Sequence, residues 1–171
     1  MRLRDATPAD AVAIAAIYAP HVLHGTATAE EDAPDAAEVA ARMQKVRDLG
    51  LPYILAERHG AVVGYAYLAP YHPRAAYRLT VEDSVYVAPE AQGHGIGRAL
   101  LGELVARADA LGLAQMIASI TAQGGEPSVA LHARAGFVHV GRKNAIIRKH
   151  GQWLDCLYMQ RPLTAAPAAA D

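Results

Sequence analysis

The residues with the clearest chemistry lie in one stretch, Val85-Tyr86-Val87-Ala88-Pro89-Glu90-Ala91-Gln92-Gly93-His94-Gly95-Ile96-Gly97-Arg98. A strand-like run passes into a turn with glycines at alternate positions, and an amphipathic helical pattern begins where the turn ends. Glycine lacks Cβ, so backbone N–H groups there can approach a ligand closely, and a helix N-terminus adds unpaired donors with a partial positive charge. Such a turn suits a phosphate or pyrophosphate, and Arg98 in the first helical turn would welcome one. The alternative is a turn that only reverses the chain. The dinucleotide fingerprint G-x-G-x-x-G fails, because the sixth position is Leu100 counted from Gly95 and Arg98 counted from Gly93. No Gly-Lys-Ser or Gly-Lys-Thr completes a nucleotide-triphosphate loop either. What remains is Gln92-x-x-Gly95-x-Gly97.

Three further groups are candidates. Glu82, in a predicted strand Thr80 to Val87, shares a face with Ser84 and Tyr86, opposite Val81, Asp83, Val85 and Val87. It is either a working carboxylate or a solvated one on a half-exposed strand. His132 falls in a short predicted helix, and its ordinary pKa near neutrality suits proton transfer as well as it suits plain packing. Arg74 and Arg78 precede the Glu82 strand; arginine binds carboxylates through two parallel hydrogen bonds, and it also forms surface ion pairs. The remaining histidines, including His21 and His24, lack a metal-ligand pattern such as H-E-x-x-H and read as surface or capping residues, so no metal is expected. The single cysteine, Cys156, reads as a small core hydrophobe.

Composition bounds the rest. A chain of 171 residues, 53% hydrophobic and 19% charged, fits one domain with its own core and excludes disorder as the main state. The net charge of −1 lacks the basic footprint of a general nucleic-acid binder. One cysteine excludes an internal disulfide and a multi-cysteine zinc site. No apolar run approaches the roughly 20 residues that span a bilayer, and Met1-Arg2-Leu3-Arg4-Asp5 lacks a signal peptide's apolar stretch. The expectation is a cytoplasmic protein with neither membrane nor nucleic-acid partner.

The elements that must position these groups follow from periodicity. Thr7, Pro8 and Asp10 mark a helix start with a capping-box acid, followed by Ile14, Ile17 and Tyr18 at helical spacing. Val39, Met43 and Val46 give a second helix ending near Leu49-Gly50. Leu51 to Arg58 and Ala61 to Leu68 form a hairpin about His59-Gly60, and Pro70 with Pro73 mark a loop. After the Thr80 strand, Ile96, Leu100, Leu101, Leu104, Val105, Ala108 and Leu111 repeat at 3.6 residues, closed by Gly112. Leu113 to Ile120 reads as a buried strand, Ser128 to Ala135 as a short helix, and Val138 to Val140 and Trp153 to Met159 as the last strands. This order predicts an α+β or α/β domain over residues 1–163 with a mixed sheet. The Ala/Pro-rich segment 164–171 has nothing large to bury and reads as a frayed tail.

Gln92-x-x-Gly95-x-Gly97 at a strand-to-helix turn resembles the coenzyme A pyrophosphate motif of the GNAT family of N-acyltransferases. The resemblance runs from Arg2 to about Leu163. The segments Thr80-Val81-Glu82-Asp83-Ser84-Val85-Tyr86-Val87, Leu131-His132 with Gly136-Phe137, and Gly151-Gln152-Trp153-Leu154-Asp155 are similar to the phosphinothricin/methionine sulfoximine acetyltransferase branch.

The resemblance implies a V-shaped, mostly antiparallel mixed sheet flanked by helices, with its fourth and fifth strands splayed around acetyl-CoA. The pantetheine arm would pair with Val85, Tyr86 and Val87, and the pyrophosphate would meet Gln92, Gly93, His94, Gly95, Ile96, Gly97 and Arg98. Glu82 would be the general base, His132 a candidate proton donor to the thiolate, and Arg74 and Arg78, with Asp83 and Ser84, neighbours of a small amine acceptor. A homodimer is implied as well. Two departures stand out: Ala29 replaces an aromatic in Thr26-Ala27-Thr28-Ala29-Glu30-Glu31, and Gln123-Gly124-Gly125-Glu126-Pro127 has no asparagine for the pantetheine. Acetylation of a peptide amine, and coenzyme A binding without turnover, are the alternative functions.

Overall fold

The computed structural model describes residues 1–167. Its strands are β1 (Arg2–Asp5), β2 (Tyr53–Arg58), β3 (Ala61–Pro70), β4 (Thr80–Val87), β5 (Gln115–Thr121), β6 (Val138–Lys149) and β7 (Gln152–Pro162). The helices are α1 (Ala11–Leu23), α2 (Ala36–Asp48), α3 (Ile96–Ala110) and α4 (Glu126–Arg134), with single 3-10 turns at Pro8–Asp10, Ala75–Tyr77 and Pro89–Ala91. The strands form one sheet in the order β1-β2-β3-β4-β5-β7-β6. Among the described residues, no helix is long and apolar enough to cross a membrane.

The predicted capping box forms. The Asp10 carboxylate accepts the Thr7 backbone N–H at 2.7 Å and two Arg4 N–H groups at 2.8 and 2.7 Å. It closes the Pro8–Asp10 turn, from which α1 continues. The alternation along β4 fixes the layers. Tyr86 packs edge-on against Tyr18 of α1 at 4.8 Å, whereas Val85 and Val87 lie over Gly97 of α3. The pair α1/α2 thus covers one face and α3/α4 the other. The apolar stripe of α3 buries Leu100, Leu101 and Leu104 completely, each contributing roughly 1.5–3 kcal/mol relative to exposure.

One feature of the sheet creates the site. Strands β4 and β5 pair in parallel only at Thr80↔Gln115, Val81↔Met116 and Glu82↔Ile117. Beyond Glu82, β4 stays with β3 as far as Val87, while β5 follows β7 as far as Thr121↔Cys156. The two strands splay, as the family resemblance implies.

The structure corrects several element boundaries. Strand β1 went unpredicted because Arg2-Leu3-Arg4-Asp5 is polar and pairs only at the sheet edge, against β2. Strand β6 does not stop at Val140 but runs to Lys149. Register shifts at His139/Gly141 and Lys143/Ile147, and Ala145 at φ 50°, break the two-residue period that would have revealed it. Helix α4 starts at Glu126, with Pro127 in its first turn, rather than at Ser128. In the predicted tail, Thr164 is tied to α3 through the Asp109 carboxylate and its backbone N–H at 2.7 Å; residues 168–171 lie outside the described residues.

Candidate functional site

A cavity of about 320 Å³ opens where β4 and β5 part. Its wall carries Glu82, Asp83, Ser84 and Val85 from β4 and Ala118 to Thr121 from β5. Gly124, Gly125, Ser128 and His132 also line it, as do Thr26 to Ala29, whose Thr26 lies against Gln123 and Gly124. Register decides which groups face it. The Ala88 N–H bonds the Val63 carbonyl at 3.0 Å, and Val87 lies opposite Gly64. Val87 is therefore a non-hydrogen-bonded partner of β3, and so by alternation are Val85 and Asp83. Their N–H and C=O groups point away from β3 toward the splay, which β5 has left. An open strand edge of this kind fits an extended, amide-bearing ligand. The Val87 carbonyl already accepts His21 Nε2 at 3.0 Å.

No register shift interrupts β4 against β3, so the predicted alternation holds. Glu82 and Ser84 face the α1/α2 side and Asp83 the α3/α4 side. Burial raises the Glu82 carboxyl above its ordinary value, the Asp83 charge adds to that, and a Ser119 hydrogen bond opposes it. A carboxylate so destabilised is a better base than one in water.

Downstream, Gly93 at φ 78° and Gly95 at φ 77° adopt left-handed conformations that a side chain would strain, and a Cβ on either would meet nothing within 4 Å. Space therefore lies open over the turn. Gly95 is the N-cap of α3, whose first turn has no acidic residue. Gln92, His94 and Arg98 are exposed around it while Ile96 is buried. His94 Nδ1 lies 2.8 Å from the Gln92 carbonyl, which braces the turn. Unpaired helix donors, a nearby guanidinium and open space together make an anion cradle. The residues present thus fit a long ligand with a diphosphate at one end and amides at the other.

His132 is buried, with Nε2 2.9 Å from Asp83 Oδ2 and Nδ1 2.8 Å from the Ser128 carbonyl. Phe137 packs edge-on to its ring at 5.0 Å. Burial opposes the charged imidazole, but the hydrogen bond to Asp83, its charge and the Ser128 carbonyl outweigh that and raise the pKa above its ordinary value. Asp83, expected beside the acceptor, instead turns its carboxylate to His132.

Arg74 and Arg78 flank the exposed Ala75–Tyr77 turn, and neither lines the cavity. Ser84 does line it. Gln123 is occupied elsewhere: its side-chain carbonyl accepts the Asp155 N–H at 3.0 Å and its backbone carbonyl the Thr26 hydroxyl at 2.6 Å. Cys156 is buried as expected and also forms part of the cavity wall.

Sequence reasoning missed the groups that brace the Thr26–Ala29 wall. The Tyr18 hydroxyl lies 2.6 Å from Thr28 Oγ1 and donates to Glu30 at 3.0 Å, and Arg42 pairs with Glu30 at 2.7 Å. Lys149, fully buried at the end of β6, donates to the Thr28 carbonyl at 2.8 Å. His21, read as a surface residue, reaches β4. Lys149 carries no signal of its burial in the sequence, because it stands between Arg148 and His150 at a polar strand end.

Comparison with known proteins agrees with this geometry. The profile of the acetyltransferase (GNAT) family matches residues 20–137. A phosphinothricin N-acetyltransferase from Alcaligenes faecalis is 51% identical over 156 residues, 91% of this chain and 79% of that protein. An L-methionine sulfoximine/L-methionine sulfone acetyltransferase from Salmonella typhimurium is 37% identical over 171 residues, covering 99% of both chains. The crystal structure of a GNAT superfamily phosphinothricin acetyltransferase from Sinorhizobium meliloti in complex with AcCoA superposes with a TM-score of 0.94 at 49% identity, covering 99% of this chain and 91% of that one. With the splayed β4–β5 pair and the glycine turn at α3, these matches make the chain a member of the GNAT family of acetyl-CoA-dependent acetyltransferases.

Proposed function

We propose that the protein transfers the acetyl group of acetyl-CoA to the primary amine of a small amino-acid-like acceptor, of the phosphinothricin or methionine sulfoximine kind, by direct attack with both molecules bound. The observation that carries this is Glu82, a desolvated carboxylate at the point where the parallel ladder ends, on the wall of a cavity closed by Thr26 to Ala29. A small enclosed space beside a base suits a compact amine better than a peptide, which needs an open groove.

The residues divide the work. Main-chain groups of Val85 and Val87 hold the pantetheine amides, and the Gly93–Gly97 turn with Arg98 holds the diphosphate. Glu82 takes the proton of the attacking ammonium, directly or through a water, because only the neutral amine is nucleophilic. His132 keeps a proton available to the departing thiolate. The hydroxyls of Thr26, Thr28, Ser84 and Ser119 supply polar contacts to the acceptor. Ala29 in the wall leaves room that an aromatic side chain would fill, widening the choice of acceptor side chain. Arg74 and Arg78 have no part in binding the acceptor in this arrangement.

We also infer a cytoplasmic homodimer. Val138, Val140 and Trp153 are 59%, 52% and 60% exposed along the outer β6–β7 hairpin, an apolar edge suited to a second copy; light scattering of the full chain decides between monomer and dimer.

The function is tested by thiol release from acetyl-CoA across phosphinothricin, methionine sulfoximine, the common amino acids and short peptides. Saturable turnover on one of the amino-acid-like amines is expected. Turnover on peptides alone, or tight acetyl-CoA binding without turnover on any amine, overturns the proposal.

A further inference from the structure

Asp83 is an unusual residue to find on the α3/α4 face of β4. Its side chain is 1% exposed, its Oδ2 takes His132, and its Oδ1 is buried with no hydrogen-bond partner. A buried carboxylate with half its acceptors unused is costly unless its partner is charged. The partner's own bonds identify its state. Neutral imidazole has one N–H and one bare nitrogen. Here both nitrogens face acceptors, a carboxylate and a backbone carbonyl, so both carry hydrogen. The Ser128 hydroxyl, 3.3 Å from Nδ1, is a weaker partner than its carbonyl at 2.8 Å. His132 also lies in the last turn of α4, where the helix dipole favours a cation.

We propose that Asp83 is a positioning residue that fixes the His132 ring and keeps it as imidazolium, loaded with the proton that the departing thiolate takes. The inference rests on the acetyl-transfer reading above and gives His132 its working state. Relative basicity lets the pair hold its proton and still release it. A carboxylate ordinarily titrates at about 4 and cannot strip an imidazolium, whereas a thiolate, ordinarily at about 8.5, can. For transfer the sulfur must take the Nε2–H from its hydrogen bond to Asp83 Oδ2; that N–H bond breaks and an S–H bond forms, leaving neutral imidazole with Nδ1–H on the Ser128 carbonyl. A bare Nε2 would then face the Asp83 carboxylate, a repulsive contact that drives reprotonation from solvent, which has received the proton Glu82 removed from the amine. The cycle returns both groups to their starting states.

The surroundings leave Asp83 in control of this charge. From β4 it is the ionisable group bonded to the ring; α4 contributes the Ser128 carbonyl, the segment after α4 contributes Phe137, and Glu82 and Cys156 line the same cavity without bonding His132.

The test is NMR titration of the His132 ring nitrogens in the full chain, alongside the pH profile of kcat. In the wild type, His132 should stay doubly protonated well above about 6.5, the ordinary value. In Asp83→Asn the side-chain carbonyl can still accept the ring N–H, but the charge is gone. The His132 pKa should fall by about one to three units, the alkaline limb of kcat should move down by the same amount, and KM for acetyl-CoA should stay within about twofold of the wild type. Neutral His132 at pH 7 in the wild type overturns the proposal without any variant. An unchanged titration in Asp83→Asn, or an alkaline limb that stays put while the titration moves, overturns it too. Because the titration needs no acceptor, failure to find a substrate does not touch this result.

Discussion

Replacing Glu82 by glutamine removes the proposed base and almost nothing else. Gln keeps the length and shape of Glu and can still meet the Ser119 hydroxyl. The cofactor-facing groups of Val85 and Val87 are main-chain, so acetyl-CoA affinity should stay within about twofold of wild type. A positioned general base contributes about 10²–10⁴ in rate, or roughly 3–5 kcal/mol of barrier, and Glu82→Gln should lower kcat/KM by that factor at pH 7. The pH profile gives the sharper sign. The wild-type acidic limb should report a carboxyl that burial raises above its ordinary value, with activity rising as Glu82 deprotonates. In the variant that limb disappears, and the rate follows the free-amine fraction of the acceptor, climbing tenfold per pH unit through neutrality.

Stability should move the other way. A carboxyl whose folded pKa is raised lowers stability as pH rises from its unfolded value through the folded one. The neutral amide escapes that penalty, so the variant should melt no lower than the wild type at pH 7. Thiol-release kinetics between pH 5 and 9, calorimetric acetyl-CoA binding and thermal melts read all three. A Glu82→Gln protein with wild-type kcat/KM, or with the acidic limb intact, would refute the assignment of Glu82 as the base.

Three further substitutions probe the backbone of the site and the capping of the fold. Gly95→Ala places a side chain at φ 77° with no atom in its way, so it should cost about 1–2 kcal/mol of strain and weaken acetyl-CoA binding. Gly97→Ala, at ordinary contact with Leu131 Cδ2 (3.4 Å), should be nearly neutral; melts and calorimetry of the two side by side check this. Asp10→Asn breaks the Arg4 pair and should cost about 2 kcal/mol at pH 7. Because Arg4 holds the Asp10 carboxyl below its ordinary value, that contribution is present above about pH 4 and lost as pH falls through the depressed pKa, so wild-type and variant melting temperatures should converge only in acid.

Legibility in the sequence followed the range of the interaction. The glycine turn was readable because a left-handed backbone at Gly93 and Gly95 demands glycine, a constraint written in single residues. The faces of β4 were readable because a period of two survives wherever no bulge interrupts it. The splay after Glu82 came from the family resemblance, since nothing local marks where a parallel ladder ends. For Arg74 and Arg78 residue type alone says that arginine can clamp a carboxylate, while the direction of an irregular loop, which keeps both off this cavity's wall, is not written locally. Asp83 was grouped with Ser84 by adjacency in the chain, although its own alternation put it on the other face. Lys149, Tyr18 and His21 were illegible as site residues: each meets its partner across many positions of sequence, and only the closed fold brings Thr28 under Lys149.

The division of chemistry along β4 has a geometric reason. The reaction must remove a proton from the amine and supply one to the thiolate, and a base and an acid in direct contact would neutralise each other. Consecutive strand residues point to opposite faces, so Glu82 and Asp83 share a backbone and one cavity yet present their groups to opposite faces of the sheet. Glu82 faces the side closed by Thr26 to Ala29, and Asp83 holds its proton on His132 beneath α4. The strand edge between them is left free because the parallel ladder with β5 ends at Glu82↔Ile117, while β5 keeps its pairing with β7 on the other side. Acetyl-CoA laid along that edge would pass between Glu82 and His132. Alternation along β4 therefore separates base from acid, while the splay leaves the Val85–Val87 edge between them unpaired.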